Sequence, residues 1–371
     1  MTTLATITAV KTGKTYKGTS KADEIIISPD AGSDIMVKAL GGSDTITVWG
    51  SNNSIIDAGK GDDTVTVKAG TLKSVNLGAG DNDITIKGGT VKKIIGGSGD
   101  DTIIVTKQKT LNISAGNGYN IIKITGKNDS TTVSAVSKGT IKTGSGRDKI
   151  TINKGGFYKI STGAGKDTVK INGGSHITKT GAGNDTITIN SNRANYVDAG
   201  SGNDTVTLSG YTSYNKIVGG SGNDTFNIKN GYLNLFEGGT GDDTYKVSSL
   251  YAETAIDNST AGRNDKDVLI INGNINEVWN LAYDKKRDIL MCNAIYIRGF
   301  SKLSKVKIAD ASRSDSASAA YIIREITKAG YTFDLGAVNT EIGIYNKNLN
   351  TIIDKGFVTN DLAINAGYDR K

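Results

Sequence analysis

The stretch from Val218 to Gly231, "VGGSGNDTFNIKNG", decides the fold, because shifted copies of it run through most of the chain. Aligned on the residue four places after the first glycine of its core, the copies have anchors at Asp23, Asp44, Asp63, Asn82, Asp101, Asn120, Asp148, Asp167, Asp185, Asp204, Asp224 and Asp243. Most steps are 18 to 20 residues, with exceptions of 21 and 28, which is a solenoid period.

Two residues beyond each anchor lies an apolar ladder: Ile25, Ile46, Val65, Ile84, Ile103, Ile122, Ile150, Val169, Ile187, Val206, Phe226 and Tyr245. A second lies four beyond, from Ile27 to Val247, and a third seven before, from Val37 to Phe236, with Thr178 as its lapse. The period of two predicts strands with these side chains inward. Each repeat therefore supplies two short strands joined by two turns, a flattened coil that buries its apolar face only by stacking on its neighbours. The expectation is an all-β parallel β-roll, or β-solenoid, of about twelve 19-residue coils. Its anchor carboxylates form a column on one edge, while the opposite turns, as in "KAGTLKS" and "NKGGFYK", have glycine but usually no acid. Forty-eight glycines with one proline, Pro29, fit many tight turns.

Lys and Arg outnumber Asp and Glu by 44 to 37, a formal charge of +7. Lysines scattered on strand faces guard against edge pairing, and they allow an anionic cell-surface or matrix polysaccharide as partner. Sparse Arg without interleaved aromatic residues argues against nucleic acid. No segment has the length and apolarity of a membrane span, and the opening "MTTLATITAVKTGKTYKGTS" lacks a secretory signal's apolar centre. Cys292 is the single cysteine and His176 the single histidine, so sulfur or imidazole metal clusters are excluded. A column of carboxylates beside glycine carbonyls suits a hard cation, Ca2+ better than Mg2+, and repulsion between the carboxylates couples cation binding to folding.

"GGSGDDTII" from Gly96, "GGSGNDTFN" from Gly219 and "GGTGDDTYK" from Gly238 resemble the nonapeptide of the RTX (repeats-in-toxin) family, a calcium-binding β-helix repeat. Less perfect copies start at Ala58, Thr162, Thr180 and Ala199, and the likeness covers about residues 16 to 271. It implies several Ca2+ ions between successive turns, export by a type I secretion apparatus, and folding outside the cell on meeting calcium. Carried over by position, the side-chain ligands are Asp44, Asp63, Asp101, Asp148, Asp167, Asp185, Asp204, Asp224 and Asp243, with the firmest sites from Asp148 to Asp243. Carbonyls of Gly219, Gly220, Gly222, Gly238, Gly239 and Gly241, and their equivalents, complete the shell. The chain departs from the family in its basic charge, its one degenerate edge, and Asn82 and Asn120 in the column.

A His-Glu-x-x-His helix and a Gly-x-Ser-x-Gly elbow are absent. His176 falls nine residues before Asp185, a place held in other coils by Tyr158, Asn195, Asn215 and Asn234, and is expected to line a turn. Cys292, in the apolar "ILMCNAIYI", is expected as a small buried residue. The chain is thus expected to be a non-enzymatic, extracellular protein of structural or adhesive role. The alternatives are a carboxylate-dependent lyase or glycosidase acting on polysaccharide, and an ice-binding surface built on the partial Thr-x-Thr file that includes Thr186 and Thr188. Residues 1–15 read as a lead-in strand and 16–271 as the roll. Residues 272–371 read as a small mixed β cap with one helix, from Ser316 to Ala329, and as the region expected to hold the export signal. Asp267, Leu269 and Ile271 mark a last degenerate coil.

Overall fold

Alternation of inward aliphatic and outward polar residues carries the chain through two parallel sheets, one on either side of a narrow apolar core. The computed structural model describes residues 5–309 and 314–317, apart from 107–109, 126–137, 154–155, 192, 211, 213, 233, 250–251, 253, 263, 273–280, 285–287 and 293–294. Two compact units divide it, Met1–Asn172 and Gly173–Lys371. Each is a parallel β-solenoid with a turn of about 19 residues, and together they hold about twelve coils.

In Met1–Asn172, the strands that follow the anchors make one sheet, called here the anchor sheet. It runs from Ala5–Ala9 through Asp23–Ile27, Thr45–Val48 and Thr64–Val67 to Thr168–Ile171, every pairing parallel. The register stacks Ile46 on Val65, Ile84, Ile103, Ile122, Ile150 and Val169. The return sheet is built the same way, from Thr15–Lys17 and Met36–Lys38 to Lys138–Thr143 and Phe157–Ala164. The lead-in strand is thus a member of the anchor sheet, paired in parallel with Asp23–Ile27.

In Gly173–Lys371 the anchor sheet runs from Thr186–Ile189 to Val268–Asn272 and Lys305–Ala309, and the return sheet from Ile177–Ala182 to Thr254–Asp257 and Ile295–Arg298. Antiparallel strands then end both. Ser314–Ala317 closes the anchor sheet, and Ile289–Cys292 with Leu281–Asp284 closes the return sheet. Ser316 and Ala317, read from sequence as the start of a helix, therefore lie in a strand. Pairing with Lys305–Ala309 overrides a helical spacing that only local residues express. The remainder of that helix and the proposed export signal lie outside the described residues. A single 3-10 turn, Phe300–Lys302, is the one helical element described.

The three ladders form the core, and Asp267, Leu269 and Ile271 join it as the degenerate coil. Each buried Val or Ile contributes roughly 1.5–3 kcal/mol, and only stacking achieves that burial. Aromatic rings take over the ladder in later coils: Phe226 stacks on Tyr245 with centroids 5.1 Å apart and meets Phe236 edge-on at 5.8 Å.

Candidate metal column

The anchor turns depend on backbone that only glycine adopts freely. Gly220 and Gly222 have φ of 114° and 119°, and a Cβ on Gly222 would collide with the carbonyl oxygen of Gly202 one coil earlier. These turns fold the chain so that the anchor side chain points back under its own loop, almost fully buried in every coil. Gly219 and Gly238 stand against the carboxylates of Asp224 and Asp243, where a methyl group would strike the second carboxylate oxygen. Ala58, Ala199, Thr162 and Thr180 hold the equivalent place elsewhere, so this close approach is local to the glycine-bearing coils.

Asp23 accepts from Thr19 of its own coil, and in the later coils one anchor oxygen is used in a recurring way. Oδ1 accepts a hydrogen bond from the anchor N–H of the preceding coil: Asp44 from Asp23 at 2.7 Å, Asp63 from Asp44 at 2.8 Å, Asp148 from Asn120 at 2.8 Å, Asp167 from Asp148 at 2.8 Å. Asp204 accepts from Asp185 at 2.7 Å, Asp224 from Asp204 at 2.7 Å, and Asp243 from Asp224 at 2.8 Å. Asn82 and Asn120 keep the pattern with their amide oxygens.

The second atom distinguishes the two residue types. Asn120 Nδ2 donates to the carbonyls of Gly116 and Gly118 at 3.1 and 3.3 Å, and Asn82 Nδ2 donates to Gly80 O at 2.8 Å and Asp101 Oδ1 at 3.0 Å. Gly220 and Gly222 hold the places of Gly116 and Gly118 in the Asp224 coil, as Gly239 and Gly241 do in the Asp243 coil. With aspartate as anchor, an acceptor replaces that donor. Oδ2 of Asp44, Asp63, Asp101, Asp204, Asp224 and Asp243 is buried without a hydrogen-bond partner. A buried carboxylate oxygen standing where asparagine places a donor is costly unless a cation or a proton meets it.

Burial accordingly raises these carboxyls, to about 7 for Asp44, 6 for Asp63, Asp101 and Asp204, 7 for Asp224 and 8 for Asp243. Neighbouring aspartates push in the same direction. Asp148 is raised as well by its burial, with the Thr143 side chain beside it opposing the shift. Hard oxygens, negative charge and a missing donor fit a calcium ion, and the same atoms fit a proton. The residues that would hold an ion are the anchors of successive coils with the turn carbonyls, two of them from glycine in each coil from Asp63 to Asp243. Among the described residues no three acidic, histidine or cysteine side chains converge, so carbonyls would have to supply most of the shell.

Sequence reasoning missed a second ladder, directly before the anchors. Asp62 Oδ1 accepts from Asp81 N at 2.8 Å, Asp81 from Asp100 N at 2.7 Å, and Asp100 from Tyr119 N at 2.7 Å. Asn184, Asn203, Asn223 and Asp242 repeat it at 2.8 to 2.9 Å toward Asn203, Asn223, Asp242 and Lys266. Its bonds reach forward to the next coil, whereas the anchor's reach back. The signal is legible as the Asp or Asn before most of these anchors; Tyr119, Arg147 and Lys166 interrupt it. Also missed was the Tyr245 hydroxyl, which reaches the Asn258 amide oxygen at 3.3 Å beside Gly238 and the raised Asp243 carboxyl. Nothing in an apolar ladder position announces a polar tip.

The opposite edge of Gly173–Lys371 has an amide ladder. Asn195 Oδ1 accepts from His176 N at 2.9 Å, Asn215 from Asn195 N at 3.0 Å, and Asn234 from Asn215 N at 3.0 Å. His176 lines this turn as expected, fully buried, with Nε2 donating to Gly173 O at 2.8 Å. Burial lowers its pKa to about 4. Cys292 is buried, its thiol pushed up to about 11. No protein-family model matches the chain, and no curated protein matches it significantly.

Proposed function

We propose that this chain is an extracellular, RTX-like calcium-binding repeat protein with a structural or adhesive role, and that it folds on binding calcium after type I export. The observation that carries this reading is the row of buried Oδ2 atoms where Asn82 and Asn120 place amide donors. Each carboxylate adds charge that must be neutralised before the coils can stack, so cation binding is part of the folding free energy. Calcium suits flexible, carbonyl-rich coordination better than magnesium does. The chemistry assigned to calcium is charge neutralisation between turns, and the role assigned to the protein is non-catalytic.

Far-UV circular dichroism during Ca2+ titration, with Mg2+ as control, tests the proposal. A disordered spectrum that becomes β-sheet only with Ca2+ supports it. A β-sheet spectrum in chelator at pH 8, unchanged by Ca2+, refutes calcium-driven folding.

A carboxylate-dependent polysaccharide enzyme has one observation in its favour: Lys179, Tyr196, Asp198, Lys216 and Glu237 share an outward sheet face away from the glycine turns. Both carboxylates are closed by lysines, at 3.1 Å for Lys179–Asp198 and 2.9 Å for Lys216–Glu237. Turnover of a polysaccharide that disappears in Asp198→Asn or Glu237→Gln would replace the structural reading.

A further inference from the structure

The return sheets have outward faces that the turn chemistry does not use, and the faces of the two units differ in charge. In Gly173–Lys371 the cations are closed by acids on neighbouring strands, Lys179 by Asp198, Lys216 by Glu237 and Arg298 by Asp257 at 3.2 Å. In Met1–Asn172 the strands of this sheet carry Lys17, Lys38, Lys73, Lys93, Lys142 and Lys159 at outward positions. Asp57 is the one acid in those strands, and the Asn76 amide donates to it at 2.9 Å. No ion pair closes any of the six lysines among the described residues.

Register concentrates the charge. Lys17 lies directly beside Lys38, and Lys93 aligns with Lys159 through Asn112 and Thr140. Like charges opposite one another on a sheet are destabilising, which an external polyanion would relieve. The lysines recur along the stacking direction at multiples of ~4.8 Å, so they can meet a linear chain of anionic groups. They are point charges without the planar fork of arginine, and no row of aromatic rings runs between them for base stacking.

We propose that this face binds a linear, carboxylate-bearing polysaccharide. The proposal supplies a partner for the adhesive reading and rests on that reading for its biological setting only, because the lysines occupy this face whether or not the anchors hold calcium.

Binding of the full chain to hyaluronate in calcium buffer, measured by titration calorimetry, tests it, with folding read by circular dichroism on the same preparation. The expected result is binding that weakens as NaCl is raised and falls about tenfold in the triple variant Lys38→Gln, Lys93→Gln, Lys159→Gln. A control triple on the anchor sheet, Lys123→Gln, Lys149→Gln, Lys170→Gln, should stay within about twofold of the parent. Folded protein that fails to bind hyaluronate at low salt overturns the proposal. So does equal loss in both triples, or tighter binding of a duplex oligonucleotide. A chain that folds without calcium and still binds hyaluronate refutes the calcium reading and leaves this one standing.

Discussion

Exchanging a carboxylate oxygen for an amide nitrogen changes what a buried turn requires of its surroundings. Asn82 and Asn120 satisfy glycine carbonyls unaided, and Asp224 in the same fold cannot. Asp224→Asn should therefore stabilise the chelator-treated protein, by roughly 1–3 kcal/mol for a buried polar group given its partner, while reducing the calcium taken up. Circular dichroism in EGTA, where the variant should hold more β-sheet than its parent, and calcium stoichiometry check this, and a variant with no more β-sheet than its parent in EGTA contradicts it. Protons compete for the same oxygens. In the calcium-free protein the folded-state pKa values of Asp44, Asp224 and Asp243, at about 7, 7 and 8, lie above the unfolded value of ~3.9. Their contribution to stability is complete below about pH 4 and is lost as pH rises through 6 to 8. The β-sheet signal in EGTA should consequently be larger at pH 5 than at pH 8.5, and calcium should restore it at pH 8.5. A β-sheet signal that rises with pH in EGTA would rule out the proton-or-cation account.

At the scale of the element, ladders of side chains on backbone amides fix the turns. Asn215 accepts from both the N–H and the Nδ2 of Asn195 at 3.0 Å. Asn215→Ala leaves those buried donors without that acceptor, at a cost of about 2 kcal/mol, so its urea midpoint should drop clearly below the parent's. An unchanged midpoint would mean that water replaces the ladder at no cost. The strands themselves are legible in the sequence, because ladders such as Ile46, Val65 and Ile84 repeat an inward residue at fixed distance from a glycine turn. The same arithmetic places His176 on its turn. The direction of each ladder's bonds is not legible, since a recurring aspartate does not reveal whether it reaches the coil before or the coil after. Nor is the strand at Ser314–Ala317, whose partner strand begins at Lys305 and lies outside the local pattern.

Across the whole molecule, contacts between a coil and its immediate neighbours make stability a sum of local terms. A lesion at Asp101 should then stay near Asp101. Hydrogen exchange of Asp101→Ala in calcium is expected to show lost protection in the strands Asp83–Ile86, Thr102–Thr106 and Ile121–Thr125, with Thr205–Leu208 and Thr225–Ile228 unchanged. Uniform loss through both units would refute nearest-neighbour stability. The same locality has an evolutionary consequence. The step from Asn120 to Asp148 is 28 residues long, yet Asn120 N still reaches Asp148 Oδ1 at 2.8 Å, as in steps of 19. Additional sequence is absorbed between Thr125 and Lys138 while the anchors keep their spacing. Duplication, deletion or insertion can therefore edit this gene one coil or one loop at a time, each intermediate remaining a workable protein, and its length is open to selection in small increments.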